Sequence, residues 1–196
     1  MGQLSTSSIL VVDLEATCAN DGSFPPAAME IIEIGAVWAM PDGAVLDRFQ
    51  SFVRPRERPT LTPFCMGLTG IRQADVDAAP LFPVAARMLH EFADRRREAG
   101  AVWTSWGDYD RKQFARDCAR HRVEDPLQLA HENAKRLFTT RQQIGTDVSL
   151  AGACELAKIG LEGSQHRALD DAINTARLLP WVLGTRSLRK VTPTAG

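Results

Sequence analysis

The stretch Ile9-Leu10-Val11-Val12-Asp13-Leu14-Glu15-Ala16-Thr17 limits the fold more than any other part of the chain. An apolar run leads into two carboxylates, Asp13 and Glu15, two positions apart. In a β-strand, residues i and i+2 point to the same face. The two acids therefore lean out together at the end of a strand whose earlier residues are buried. Burying two like charges without partners is costly, or forces one of them to take a proton. A hard divalent cation removes the conflict, because it prefers carboxylate oxygens. A strand end with a solvated Asp and Glu fits the same pattern, so the rest of the chain must decide.

The remaining sequence reads as one compact domain. Its 196 residues suffice for a full core. The expected boundaries are a polar lead-in over 1–8, a domain over 9–185 and a polar tail over 186–196. No apolar run approaches the roughly 20 residues needed to span a bilayer. Met1 to Ser8 lacks the charged start of a signal peptide, so no membrane partner and a cytoplasmic location are expected. Cys18, Cys65, Cys118 and Cys154 form no CxxC pair, which disfavours zinc and disulfides. The net charge of −1 means that any polyanion must be held by local patches or metal ions. Arg54/Arg56/Arg58, Arg95-Arg96-Arg97 and Arg186/Arg189/Lys190 are the candidate patches, each read first as a solvated face.

Taken in order, the chain predicts a strand over 9–15, a loop over 17–28 and a strand over 30–40. The turn Pro41-Asp42-Gly43 leads to a third strand over 45–53, with Leu46, Phe49 and Phe52 as apolar anchors. A short helix and turn follow over 64–71. A helix over 81–97 carries Phe82, Ala85, Ala86, Leu89 and Phe92 on one stripe. A strand over 101–106, a helix over 110–122 and a short strand over 127–131 come next. Helices are then expected over 133–142, 149–158 and 168–183. This order implies an α/β fold: a mixed five-stranded sheet, an antiparallel meander plus parallel strands, flanked by helices. No glycine-rich phosphate loop follows the first strand, which disfavours a dinucleotide or nucleoside-triphosphate fold.

Further features join the opening acids. Tyr109-Asp110 lies at a strand-to-helix junction, and His166 precedes Asp171 by five residues at the start of the last helix. This set resembles the DEDDh 3′→5′ exonucleases, the superfamily of proofreading exonuclease domains and ribonuclease T, with a ribonuclease H-like fold. The likeness is carried by Val12 to Cys18, Glu30-Ile31-Ile32-Glu33, Phe49 to Pro55, Phe64 to Ile71 and His166 to Asp171. It is strongest to the branch that trims histone mRNA and regulates RNA interference. Tyr109 stands where relatives often carry Trp or Phe.

The resemblance implies that Asp13, Glu15, Asp110 and Asp171 hold two divalent ions, Mg²⁺ or Mn²⁺, and that His166 deprotonates the attacking water. An imidazole suits that task because its ordinary pKa lies near working pH. Ala16, Thr17, Leu68, Thr69, Tyr109 and His166 are the implied contacts to the terminal nucleotide. Single-stranded 3′ ends are the expected partner, with RNA favoured and DNA allowed. The alternatives are an idle nucleic-acid-binding module on the same fold and a ribonuclease H-like endonuclease. Asp108 and Asp170 are the rivals of Asp110 and Asp171, read first as turn or helix-start acids. Glu33 is balanced between a partner of the site and a surface charge. His90, His121, His131 and the cysteines are read as surface or packing residues.

Overall fold

The structure is a computed structural model that describes residues 8–188. Positions 1–7 of the lead-in and 189–196 of the tail, with Arg189 and Lys190, lie outside the described residues. The elements are β1 (Ile9–Ala16), β2 (Ile31–Ala39), β3 (Val45–Phe52), α1 (Pro63–Thr69), α2 (Gln73–Asp77), α3 (Phe82–Asp94) and β4 (Val102–Ser105). They continue with α4 (Tyr109–His121), β5 (Ala130–Asn133), α5 (Ala134–Arg141), α6 (Leu150–Leu156), α7 (Ala168–Arg177) and α8 (Leu179–Val182).

The expected mixed sheet is present, with five strands in the order β3-β2-β1-β4-β5. β1–β2 and β2–β3 are antiparallel, while β1–β4 and β4–β5 are parallel. Helices cover both faces. Leu10, Val12 and Leu14 of β1 join Ile34, Ala36 and Trp38 of β2 against the predicted stripe of α3 and Phe114 of α4. The opposite face sets Val11, Val37 and Ala39 against Ala172, Ile173 and Ala176 of α7. Every residue of β2 is buried, the continuous apolar pattern of a strand covered on both sides. No described helix is long and apolar enough to cross a membrane.

Five local expectations change. The last helix divides at Leu178, because Pro180 has no N–H to continue the ladder. A helix absent from the sequence reading, α2, is fixed by a reciprocal Arg72–Asp75 cap. The fifth strand lies later than expected, at Ala130–Asn133, and Leu127 is buried ahead of it. Leu46 is exposed and is no anchor; it alternates along edge strand β3 with the half-buried Val45 and Asp47. Arg186 and Leu188, expected in a loose tail, are tied back by backbone bonds to the Pro180 carbonyl and the Gln142 side chain.

Candidate active site

Parallel pairing of β1 and β4 puts their carboxyl ends side by side, and α4 begins four residues after β4 ends. Asp13 and Glu15 project from β1 on the same side as Val11, the side covered by α7. Asp110, in the first turn of α4, is buried and accepts a 3.1 Å hydrogen bond from the Leu14 backbone N–H. Asp171 lies in the first turn of α7, where a helix N-terminus favours negative charge. Its Oδ2 accepts the His166 backbone N–H at 3.1 Å. His166 has φ +60°, a left-handed conformation that an L-residue adopts at a cost of roughly 1–2 kcal/mol. It puts the exposed imidazole where one of its nitrogens lies within 4.8 Å of carboxylate oxygens of both Glu15 and Asp171. Backbone strain of this kind concentrates at working sites.

α7 can come this close only because of Gly35, which sits opposite Asp13 in the β1–β2 register. A Cβ at residue 35 would lie 2.1 Å from the Ala168 carbonyl carbon and 2.2 Å from the Leu169 nitrogen. Glu33, one side-chain repeat along β2, fixes the same helix start. It is fully buried and accepts from Arg167 Nε and Nη2 at 3.2 and 3.1 Å and from the Ala168 N–H at 3.1 Å. Glu33 is therefore no surface charge. The rival acids are engaged elsewhere: Asp170 accepts the Ser164 N–H at 2.8 Å, and Asp108 lies 3.7 Å from Arg111.

The acids crowd one another. Burial, and then the charges of Asp110, Glu15, Asp171 and Glu33, push the Asp13 carboxyl well above the ordinary range. Glu15 is pushed up to about 8 by burial and by Asp171, Glu33 and Asp110, against the pull of Arg167. Asp110 rises to about 6, because burial outweighs its hydrogen bonds. Asp171 is raised too, burial exceeding the help of the His166 N–H. An all-carboxylate oxygen set whose members resist ionising together is the donor set that hard divalent cations relieve.

A pH dependence follows with a definite sign. The native state keeps protons that the unfolded chain has released between the ordinary glutamate value of 4.5 and about 8. Unfolding in that window releases protons, so this site's contribution to stability falls as pH rises. In EDTA, the melting temperature is expected to drop from pH 5.5 to 8.5, and less steeply in Glu15→Gln. At pH 8, Mn²⁺ at a hundred times its dissociation constant is expected to raise the melting temperature by about 5–10 °C. A flat metal-free profile with no Mn²⁺ response would count against the crowding.

The nucleotide contacts expected from the sequence divide in two. Leu68 and Tyr109 are 39% and 44% exposed, so both are free to meet a ligand. Tyr109 is thus not core, and its hydroxyl reaches Met29 Sδ at 3.7 Å. Ala16, Thr17 and Thr69 are buried. The Thr17 hydroxyl accepts the Glu30 N–H at 3.0 Å, and that of Thr69 donates to the Cys65 carbonyl at 2.9 Å. The hydroxyls of Thr17 and Thr69 are thus both engaged within the chain, and Ala16 carries no polar side-chain atom.

The chain is similar to known proteins along most of its length. Residues 10–179 match the sequence profile of the exonuclease family typified by ribonuclease T. The chain is 33% identical to ERI1 exoribonuclease 2 of Homo sapiens, over 93% of this chain and 30% of that protein. It is 31% identical to "Probable 3'-5' exonuclease KapD" of Bacillus subtilis (strain 168), over 91% of this chain and 86% of that one. It thus spans about a third of the curated ERI1 exoribonuclease 2 relatives. The nuclease domain of 3′hExo, a DEDDh family member solved with rAMP, superposes with a TM-score of 0.85 at 26% identity, covering 96% of this chain and 98% of that one. The profile runs from the acidic strand to the helix that carries Asp171, the relatives and the superposition cover more than nine-tenths of the chain, and on that ground the chain belongs to the ribonuclease T-type exonuclease family, in the DEDDh 3′→5′ superfamily near its ERI1 branch.

Proposed function

We propose that the chain is a metal-dependent 3′→5′ exonuclease that removes nucleoside 5′-monophosphates from single-stranded nucleic acid. The carrying observation is the convergence of Asp13 and Glu15 of β1 with Asp110 of α4 and Asp171 of α7, the His166 ring lying beside two of them. Asp13, Glu15, Asp110 and Asp171 would hold two Mg²⁺ or Mn²⁺ ions. Bound there, the ions supply a nucleophilic water at neutral pH and charge neutralisation for the phosphate. His166 takes the proton from the attacking water, and its exposed loop position lets the ring approach and leave. Leu68 and Tyr109 form the exposed wall against which the terminal sugar and base are held; the Tyr109 ring suits base stacking. RNA is the favoured polymer: 3′hExo was solved with rAMP, and a related 3′-exonuclease with a histone mRNA stem-loop.

The test uses 5′-labelled single strands of RNA and DNA with Mg²⁺ or Mn²⁺. A descending ladder that EDTA abolishes is expected, with RNA degraded faster. His166→Ala is expected to lose most turnover, about 10²- to 10⁴-fold for a lost general base, yet to bind Mn²⁺ with unchanged affinity. A single internal cut would point to an endonuclease. Tight binding without cleavage would point to an idle binding module. Loss of Mn²⁺ affinity in His166→Ala would make the imidazole a metal ligand instead of the base.

A further inference from the structure

Glu33 and Arg167 stand beside the acids of β1. Glu33 lies opposite Glu15 in the β1–β2 register, so the two side chains share a face, with Cβ atoms about 4.5–5.5 Å apart. The buried Glu33 carboxylate is saturated. It accepts from Arg167 Nε and Nη2, from the Ala168 N–H and from Gln50 Nε2, at 3.2, 3.1, 3.1 and 2.5 Å. The Arg167 guanidinium is not saturated. Every guanidinium nitrogen carries N–H donors, yet Nη1 has no hydrogen-bond partner among the described residues and is not buried. The side chain as a whole is 28% exposed.

This open edge is held in a fixed place. The guanidinium lies over the Phe52 ring, 5.4 Å from its centroid. Phe52 packs against the apolar cluster under α1, the helix that carries Leu68. Two other acids whose charge reaches Arg167 are engaged elsewhere: Asp170 by the Ser164 N–H and Asp75 by Arg72. Pairing with Glu33 uses only the Nε–Nη2 edge. A strand entering a site of crowded carboxylates adds negative charge, and a chain of net charge −1 must meet it locally. A guanidinium gripped on one edge by a carboxylate is preorganised to bind a phosphate through the other.

We propose that Arg167 is a substrate-binding residue: Glu33 and Phe52 hold its guanidinium so that the Nη1 edge binds a phosphate oxygen of the nucleic-acid strand beside the metal site. The inference rests on the exonuclease reading.

The test combines degradation kinetics with strand binding by fluorescence anisotropy. Binding is measured in Mn²⁺ on the His166→Ala background, where cleavage is slow. The probes are short RNA and DNA strands in which each linkage near the 3′ end is replaced in turn by an uncharged methylphosphonate. Arg167→Lys keeps a charge for Glu33 but has no second edge. It is expected to raise KM by about tenfold, the worth of one charge-assisted hydrogen bond, with kcat and melting temperature near the parent's. RNA and DNA are affected alike, because a phosphate contact reads neither base nor sugar. In the parent, one neutral linkage weakens binding by about tenfold. In Arg167→Lys and Arg167→Gln that same linkage costs little more, because its partner is already gone. Parent-like KM in both variants, or a linkage penalty that persists in full, overturns the proposal. So does a joint fall of kcat, Mn²⁺ affinity and melting temperature with the linkage penalties unchanged, which would make Arg167 an anchor of α7 alone. Strands neither bound nor cut by the unmodified chain would overturn the exonuclease reading itself.

Discussion

Asp13→Asn is expected to reduce 3′→5′ degradation by at least about a thousandfold, the loss of roughly 4 kcal/mol of transition-state stabilisation. The same change is expected to raise the melting temperature of the metal-free protein at pH 8. Both effects come from one cause. Asp13 is surrounded by Asp110, Glu15, Asp171 and Glu33, and its carboxyl is pushed well above the ordinary range. At pH 8 the unfolded chain carries this carboxylate at no cost, whereas the native site must either keep it protonated or bear the repulsion. Asparagine nearly keeps the shape and removes the charge, so the metal-free fold gains. It also removes a ligand oxygen with full negative charge, so cation binding and turnover fall. Ladder assays and thermal melts with EDTA or Mn²⁺ check the pair of effects, and Mn²⁺ should stabilise the variant far less than the parent. Wild-type turnover in Asp13→Asn would remove Asp13 from the catalytic set. Such an opposition of stability and activity is expected where a site is built from mutually repelling groups.

What the sequence discloses about this site depends on distance along the chain. Asp13 and Glu15 are legible from strand periodicity alone, since their shared face is a property of neighbours. Asp110 and Asp171 are not, because nothing local distinguishes them from Asp108 and Asp170; they are found through the short motifs around them. The structure separates the pairs by contacts: Leu14 for Asp110 and Ser164 for Asp170. Glu33 stays undecided in sequence because its partner Arg167 lies 134 residues away. The same limit governs the fold. β1, β2 and the α3 stripe are strongly patterned and are read at nearly their observed bounds. β5, with the sequence AHEN, has no apolar pattern and is a strand because β4 offers it an edge. The division at Leu178 did have a local signal in Pro180.

Gly35→Ala is the substitution whose effect the sequence least announces: one methyl group in a regular strand is expected to lower activity by about a hundredfold. The added Cβ would lie 2.1–2.3 Å from the Ala168 carbonyl carbon, the Leu169 nitrogen and the Ala168 oxygen. Non-bonded carbons rest about 3.5–4.0 Å apart, so one backbone must move by more than about 1 Å. β2 is held on both edges by β1 and β3, so the start of α7 is the part that yields. That start carries Asp171 and its bond to His166, and its anchor is Glu33. Lifting it draws the fourth carboxylate and the imidazole away from Asp13 and Glu15 together. A displacement of about 1 Å at a catalytic group can cost about a hundredfold, and overpacking costs about 1–3 kcal/mol of stability. Urea denaturation and the ladder assay measure the two effects. Gly160→Ala is the control, because no atom lies within 4 Å of its added Cβ. Parent-like stability and turnover in Gly35→Ala would mean that α7 does not rest on β2 as described, and the meeting of Asp171 with the acids of β1 would have to be explained another way. Loss of turnover with weakened Mn²⁺ binding, beside an unaffected Gly160→Ala, would identify Gly35 as the residue whose missing side chain lets the helix acid reach the strand acids.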